Sequence, residues 1–178
     1  MKEPRPSCVL VVDDDPLIRL VVSRTLSAAK LRVVEARQGL EGIKAFAAEP
    51  IDLILLDVMM PLLDGFSTCE RMRKLENGQH VPIVMMTGLD DEASIQRAYE
   101  VGATDFITKP INPPILVHRI RYILRASAAM NELAWRESFQ RVLVETTPVP
   151  ILVEDSDGRC NCCNAAMESL LGKAAPRF

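Results

Sequence analysis

Short apolar runs, each closed by polar residues, punctuate this chain. Cys8 to Val12 is one, ending at Asp13-Asp14-Asp15. Ile51 to Leu56 is another, interrupted only at Asp52 and ending at Asp57. Val81 to Met86 leads into Thr87-Gly88, and Thr104 to Thr108 leads into Lys109-Pro110. The central runs lack polar alternation, which suits strands covered on both faces, as in a parallel sheet. Leu31 to Glu35, with β-branched Val33 and Val34, predicts one more short strand.

Helical spacing fills the intervals. Pro16 suits a first helical turn, and Leu17, Ile18, Leu20, Val21, Val22 and Leu26 recur with that period to about Ala29. Further helices are expected from Gly39 to Glu49, from Gly65 to about Glu76 with Asp64 as cap, and from Asp90 to Val101. A long helix is expected to start near Asn112 to Pro114. Strand and helix thus alternate, and crossovers between parallel strands are right-handed. The predicted fold is α/β: a flavodoxin-like five-stranded parallel sheet, order 2-1-3-4-5, with helices on both faces.

The pattern changes past Ile123. Ile120, Ile123, Ser127, Met130 and Ala134 recur at three-four spacing, a narrow seam that Glu137 interrupts. With no Gly or Pro from Ile115 to Thr147, the helix is expected to run on and pair with a second copy as a homodimer. After Pro148-Val149-Pro150 come a strand from Ile151 to Glu154, a turn at Asp155 to Gly158, a strand from Arg159 to Cys163 and a helix from Asn164 to Leu171. So short a segment buries little surface alone and reads as the truncated start of a second domain. The expected domains are 1–126, a helical linker 127–147, and 148–178.

Composition narrows the function classes. The 178 residues are 48% hydrophobic and 25% charged, with formal net charge −3. There is no basic excess to attract nucleic acid. No apolar run approaches the roughly 20 residues that span a bilayer, and the proline-containing N-terminus is no signal peptide. The expected partners therefore include neither nucleic acid nor membrane, and the expected location is cytoplasmic. Cys160, Cys162 and Cys163 lack a second spaced pair and a nearby His, so they read as strand residues rather than zinc ligands. Neither His80, His118 nor the Arg119, Arg121 and Arg125 set carries a functional case, and Trp135 reads as a packing residue of the long helix.

The strand ends carry the chemistry. Asp13, Asp14, Asp57, Thr87 and Lys109 fall at the carboxyl ends of the first, third, fourth and fifth strands, where α/β sheets bind ligands. Two unit charges about 4 Å apart repel by about 4 kcal/mol at an effective dielectric near 20, so such carboxylates need a cation. Hard oxygen donors point to Mg2+. A carboxylate nucleophile, a divalent cation, a lysine and a hydroxyl together make a phosphoryl-transfer site.

These residues carry a resemblance. Val11-Val12-Asp13-Asp14, Leu56-Asp57-Val58-Met59-Met60-Pro61, Asp64-Gly65, Met86-Thr87-Gly88, Gly102-Ala103 and Phe106-Ile107-Thr108-Lys109-Pro110 resemble the response-regulator receiver domain of two-component signalling, over about residues 7 to 126. The resemblance implies that a histidine kinase or phosphotransfer protein phosphorylates Asp57. It implies that Asp14, Asp57 and the Met59 main-chain carbonyl bind Mg2+, with Asp13 acting through water. Thr87 and Lys109 would bind the phosphoryl group, and Phe106 would be the aromatic switch, lacking the hydroxyl of the commoner Tyr. The Lys109-Pro110 bond is expected to be cis. Met59 and Leu89 stand where the family can carry polar groups that orient hydrolytic water, so slow self-dephosphorylation is expected.

Residues from Phe139 to Gly172 resemble the start of a PAS sensor domain, through Pro150-Ile151-Leu152-Val153, Asp157-Gly158-Arg159 and Asn164-Ala165-Ala166. That layout usually leads to an output module, and Arg119 to Ser127 is similar to linkers of cyclic-di-GMP enzymes; a histidine kinase module is the other expectation. Two competing readings stand beside the switch. One is a Mg2+-dependent phosphatase with an aspartate nucleophile in Asp13-x-Asp15, and the other a scaffold with no phosphate chemistry.

Overall fold

The computed structural model describes residues 5–88 and 92–172, apart from the side chains of residues 92 and 93. The chain divides into two compact units between Ala128 and Ala129. In the first unit β1 (Cys8–Val12), β2 (Arg32–Ala36), β3 (Leu53–Asp57), β4 (Ile83–Thr87) and β5 (Asp105–Thr108) form one sheet. All neighbours are parallel and the order is β2-β1-β3-β4-β5. The helices are α1 (Pro16–Ala28), α2 (Gly39–Ala48), α3 (Gly65–Arg73), α4 (Glu92–Glu100) and α5 (Pro113–Thr146). This is the flavodoxin-like fold.

The apolar runs become central strands because both their faces are covered. Every residue of β1, β3 and β4 is buried, whereas β2 and β5 are edges with partly exposed residues. Leu10, Val12, Ile54 and Leu56 face one core with Phe46, Phe66 and Met72 from α2 and α3. Val9, Val11, Leu53 and Leu55 face the other with Val22 and Leu26 from α1 and Leu116, Ile120 and Ile123 from α5. Each fully buried Leu or Ile contributes about 1.5–3 kcal/mol relative to an exposed one.

Several boundaries differ from the sequence expectations, for visible reasons. The strand expected from Ile51 starts at Leu53, because Asp52 turns its carboxylate to the Cys8 amide at 2.7 Å and to Arg5 at 2.8 Å. The helix expected to reach Glu76 ends at Arg73. There the Arg73 guanidinium takes up two carbonyls of the following loop, Gly78 and Val81, the latter at 2.7 Å, and reaches the Gly102 carbonyl between α4 and β5 at 2.8 Å. The expected helix start at Asp90 and the flanking Leu89 lie outside the described residues. The seam on α5 is divided: Ile120 and Ile123 are buried in the first unit's core, whereas Met130 is 70% exposed.

In the second unit β6 (Leu152–Glu154) and β7 (Cys160–Cys163) pair antiparallel, followed by α6 (Ala165–Leu171). Asp155 builds the turn, accepting the amides of Asp157 and Arg159 at 2.9 Å each, and Gly158 takes φ +75°. Asn164, fully buried, is the hub. Its amide nitrogen donates to the Val144 and Val149 carbonyls at 3.0 and 2.9 Å, and its oxygen accepts from Ile151 and Met167 at 2.9 and 3.1 Å. Cys160 is exposed and Cys163 buried. Trp135 stacks on Phe139 with ring centroids 5.1 Å apart, yet remains 63% exposed.

Candidate functional site

Strand register assembles the site. Val12 pairs with Leu56, so Asp13 follows level with Asp57. Asp57 pairs with Met86, and Thr87 with Thr108, which places Lys109 one residue beyond. The Lys109 amide donates to the Thr87 carbonyl at 2.7 Å, and the Lys109-Pro110 peptide is cis. All these residues therefore leave the sheet along one rim.

The Lys109 ammonium donates to Asp13 Oδ2 at 2.9 Å and to Asp57 Oδ1 at 2.8 Å. Asp13 Oδ1 accepts the Asp15 amide at 2.9 Å, so its whole carboxylate is engaged. Asp13, Asp57 and Thr87 are buried, and Asp14 is exposed. Burial pushes the Asp57 carboxyl up, and Asp13 adds to that; the Lys109 bond and the Met59 amide pull the other way without cancelling it. Burial pulls the Lys109 ammonium down, but Asp57 and Asp13 outweigh it and hold the group above its ordinary value.

Asp13, Asp14 and Asp57 offer oxygens within 4.8 Å of one another, the one such group of potential metal ligands among the described residues. Three ionised carboxylates against one ammonium leave two negative charges unbalanced, the charge of one divalent cation. The donors are hard oxygens, so the set fits a hard cation.

Local sequence explains the placement. Asp15 caps α1, accepting Leu17 and Ile18 amides at 2.8 and 3.4 Å, with Pro16 opening the helix. Asp64 caps α3 through the Ser67 amide at 2.7 Å. Gly65 packs so closely under β3 that a β-carbon there would overlap the Asp57 carbonyl oxygen. Phe106 is half-buried beside the core, its ring meeting Tyr99 of α4 edge-on at 6.3 Å. Met59 is 65% exposed.

A model of the response-regulator receiver domain matches residues 9–121. The chain belongs to the response-regulator receiver family. A PAS-fold model also matches, over residues 138–177. Among relatives, a probable transcriptional regulator ycf27 of Guillardia theta is 42% identical over 117 residues, 66% of this chain and 45% of that protein. The response regulator PleD of Caulobacter vibrioides is 37% identical over 134 residues, 75% of this chain and 29% of that protein. The chemotaxis protein CheY4 of Vibrio cholerae superposes with TM-score 0.65 at 33% identity, covering 66% of this chain and 98% of that one. The chain spans about half the length of the first curated relatives it matches. No helix among the described residues is long and apolar enough to cross a membrane.

The structure brings together Asp13, Asp57 and Lys109 by direct bonds, sets Asp14 within reach, and seats Thr87 on the adjoining strand end. One receiver residue that the sequence reading passed over is Arg19. Its guanidinium reaches the carbonyls of Asp13 and Asp14. No residue type in the sequence marks those partners, which are main-chain carbonyls.

Proposed function

We propose that this receiver is a phosphoacceptor switch in which Asp57 takes a phosphoryl group from a histidine kinase or phosphotransfer protein, with Mg2+ required. The observation that carries the reading is the Lys109 ammonium bridging Asp13 and Asp57, with Asp14 close by. An Asp57 oxygen attacks phosphorus, the new P–O bond forming as the donor's P–N bond breaks and the imidazole departs with the bonding pair. Lys109 binds the transferred group, and the Thr87 hydroxyl donates to one of its oxygens. Asp14, Asp57 and the Met59 carbonyl would hold Mg2+, with Asp13 assisting through water, and the bound ion would offset charge on the phosphoryl oxygens. Phe106 turns inward as Thr87 moves, shifting a two-state equilibrium at the β4, α4, β5 and α5 face.

The competing phosphatase reading needs Asp13 as nucleophile and a free Asp15. It is disfavoured because Asp15 is engaged in capping α1 and because it leaves the buried Asp57, bonded to Lys109, without a role. A chain without phosphate chemistry is disfavoured because each site residue is present.

The whole protein, in this reading, is a cytoplasmic regulator with receiver 1–126, helical linker 127–147 and a PAS-like segment from 148, and the receiver itself is not a turnover enzyme. Two copies pair through α5. An output module outside this chain turns over cyclic-di-GMP or acts as a histidine kinase. Several relatives are named transcriptional regulators, one of them DNA-binding, which counts against the expectation that no nucleic acid is bound; this chain matches about half the length of each.

The test is incubation with acetyl phosphate. We expect a mass gain of one phosphoryl group that needs Mg2+, disappears with chelator and is absent in Asp57→Asn. A gain that persists in Asp57→Asn or under chelation overturns the reading.

A further inference from the structure

The loop carrying Asp13 and Asp14 is held from behind by a residue to which the proposed reaction gives no part. Arg19 lies one turn past the Asp15 cap, in the first turns of α1. A cation there faces the positive end of the helix dipole, a disfavoured place. Only 11% of the side chain is exposed, so desolvation adds to that cost. What compensates is specific. Nη1 donates to the Asp13 carbonyl at 2.7 Å and to the Asp14 carbonyl at 3.1 Å. Nε lies 3.7 Å from Glu35 Oε2 on the edge strand β2.

The two acids depend on this clamp unequally. Asp13 has other anchors: its amide donates to Ala36 O at 3.2 Å, and its carboxylate is bonded to the Asp15 amide and Lys109. Asp14 has an exposed side chain, and its carbonyl is tied to Arg19. Loss of Arg19 thus loosens Asp14 while leaving Asp13, Asp57 and Lys109 bonded to one another.

We infer that Arg19 is a positioning residue for divalent-cation binding, its guanidinium presetting the β1–α1 loop by clamping the Asp13 and Asp14 carbonyls. The inference rests on the cation site of the proposed function. Its signature is a loss of metal affinity that excess metal restores, because the groups that take and hold phosphorus are untouched.

The experiment is Mn2+ binding by the full chain without any phosphodonor, followed by electron paramagnetic resonance. Arg19→Ala should bind about tenfold more weakly, the lower end of what supporting residues contribute to metal affinity. Arg19→Lys, a point charge instead of a planar fork, should fall between Arg19→Ala and wild type. At saturating Mg2+ the acetyl phosphate reaction of Arg19→Ala should return to within about twofold of wild type, the pattern of lost metal binding rather than lost chemistry. Wild-type Mn2+ affinity in Arg19→Ala overturns the inference, and so does a rate loss that saturating metal leaves in place. Should Arg19→Ala not fold, Arg19→Lys decides: weakened binding supports the clamp and wild-type binding refutes it. A wild-type chain that binds no Mn2+ would remove the cation site itself, and this inference with it.

Discussion

Asp64 illustrates how much one side chain does at the edge of the site. It caps α3, the helix that starts directly against the Asp57 carbonyl. Burial pushes its carboxyl up, but the Ser67 bonds and the nearby Arg97 charge outweigh that and hold it below the ordinary 3.8. A depressed carboxyl stabilises the fold fully above its unfolded value, and that contribution fades as pH falls through the lower folded value. Asp64→Ala should therefore cost about 1 kcal/mol at neutral pH, with a smaller deficit in acid. Chemical denaturation of both proteins at neutral and acid pH checks this; an equal deficit at the two pH values would contradict it. The acids, hydroxyl and lysine of the rim were legible in the sequence because residue type announces their chemistry. Arg19 was not, because its partners are main-chain carbonyls, which every residue carries and only folding brings together.

At the level of elements, continuous apolar runs located β1, β3 and β4, since burial on both faces leaves no room for polar alternation. Boundaries were less legible where a side chain captures backbone groups. Asp52 delays β3 and Arg73 ends α3, and neither effect leaves a mark in apolar spacing. Asn164 is a third such capture, and it carries the second unit. Asn164→Ala leaves the Val144 and Val149 carbonyls and the Ile151 amide without this partner. Those of these groups that water does not reach cost about 1–3 kcal/mol each when left unsatisfied. The expected outcome is loss of the second unit with the receiver still folded. The single tryptophan, Trp135, reports on it by fluorescence; an unchanged transition would refute the hub. The exposed stretch of α5 carries a different expectation. Met130→Glu, on the proposed seam, should turn a dimer into a monomer by light scattering, and a wild-type chain already monomeric would contradict pairing through α5.

For the molecule as a whole, the question is how long a phosphorylated state lasts. Met59 presents an exposed apolar side chain beside the proposed phosphoacceptor. No polar group at that position orients a hydrolytic water, so phospho-Asp57 should persist once the donor is removed, and Met59→Asn should shorten its life. The decay of phosphoprotein mass with time measures both. A wild-type lifetime as brief as that of fast chemotaxis-type regulators would refute the expectation. Such persistence suits a switch that governs assembly or a distant output.

The account depends above all on which carboxylate receives phosphorus. Reducing the acetyl phosphate-treated, Mg2+-loaded chain with borohydride and sequencing its peptides locates the acyl phosphate. The prediction is reduction at Asp57 alone. Reduction at Asp13, or a folded chain with no reduced aspartate, would contradict it.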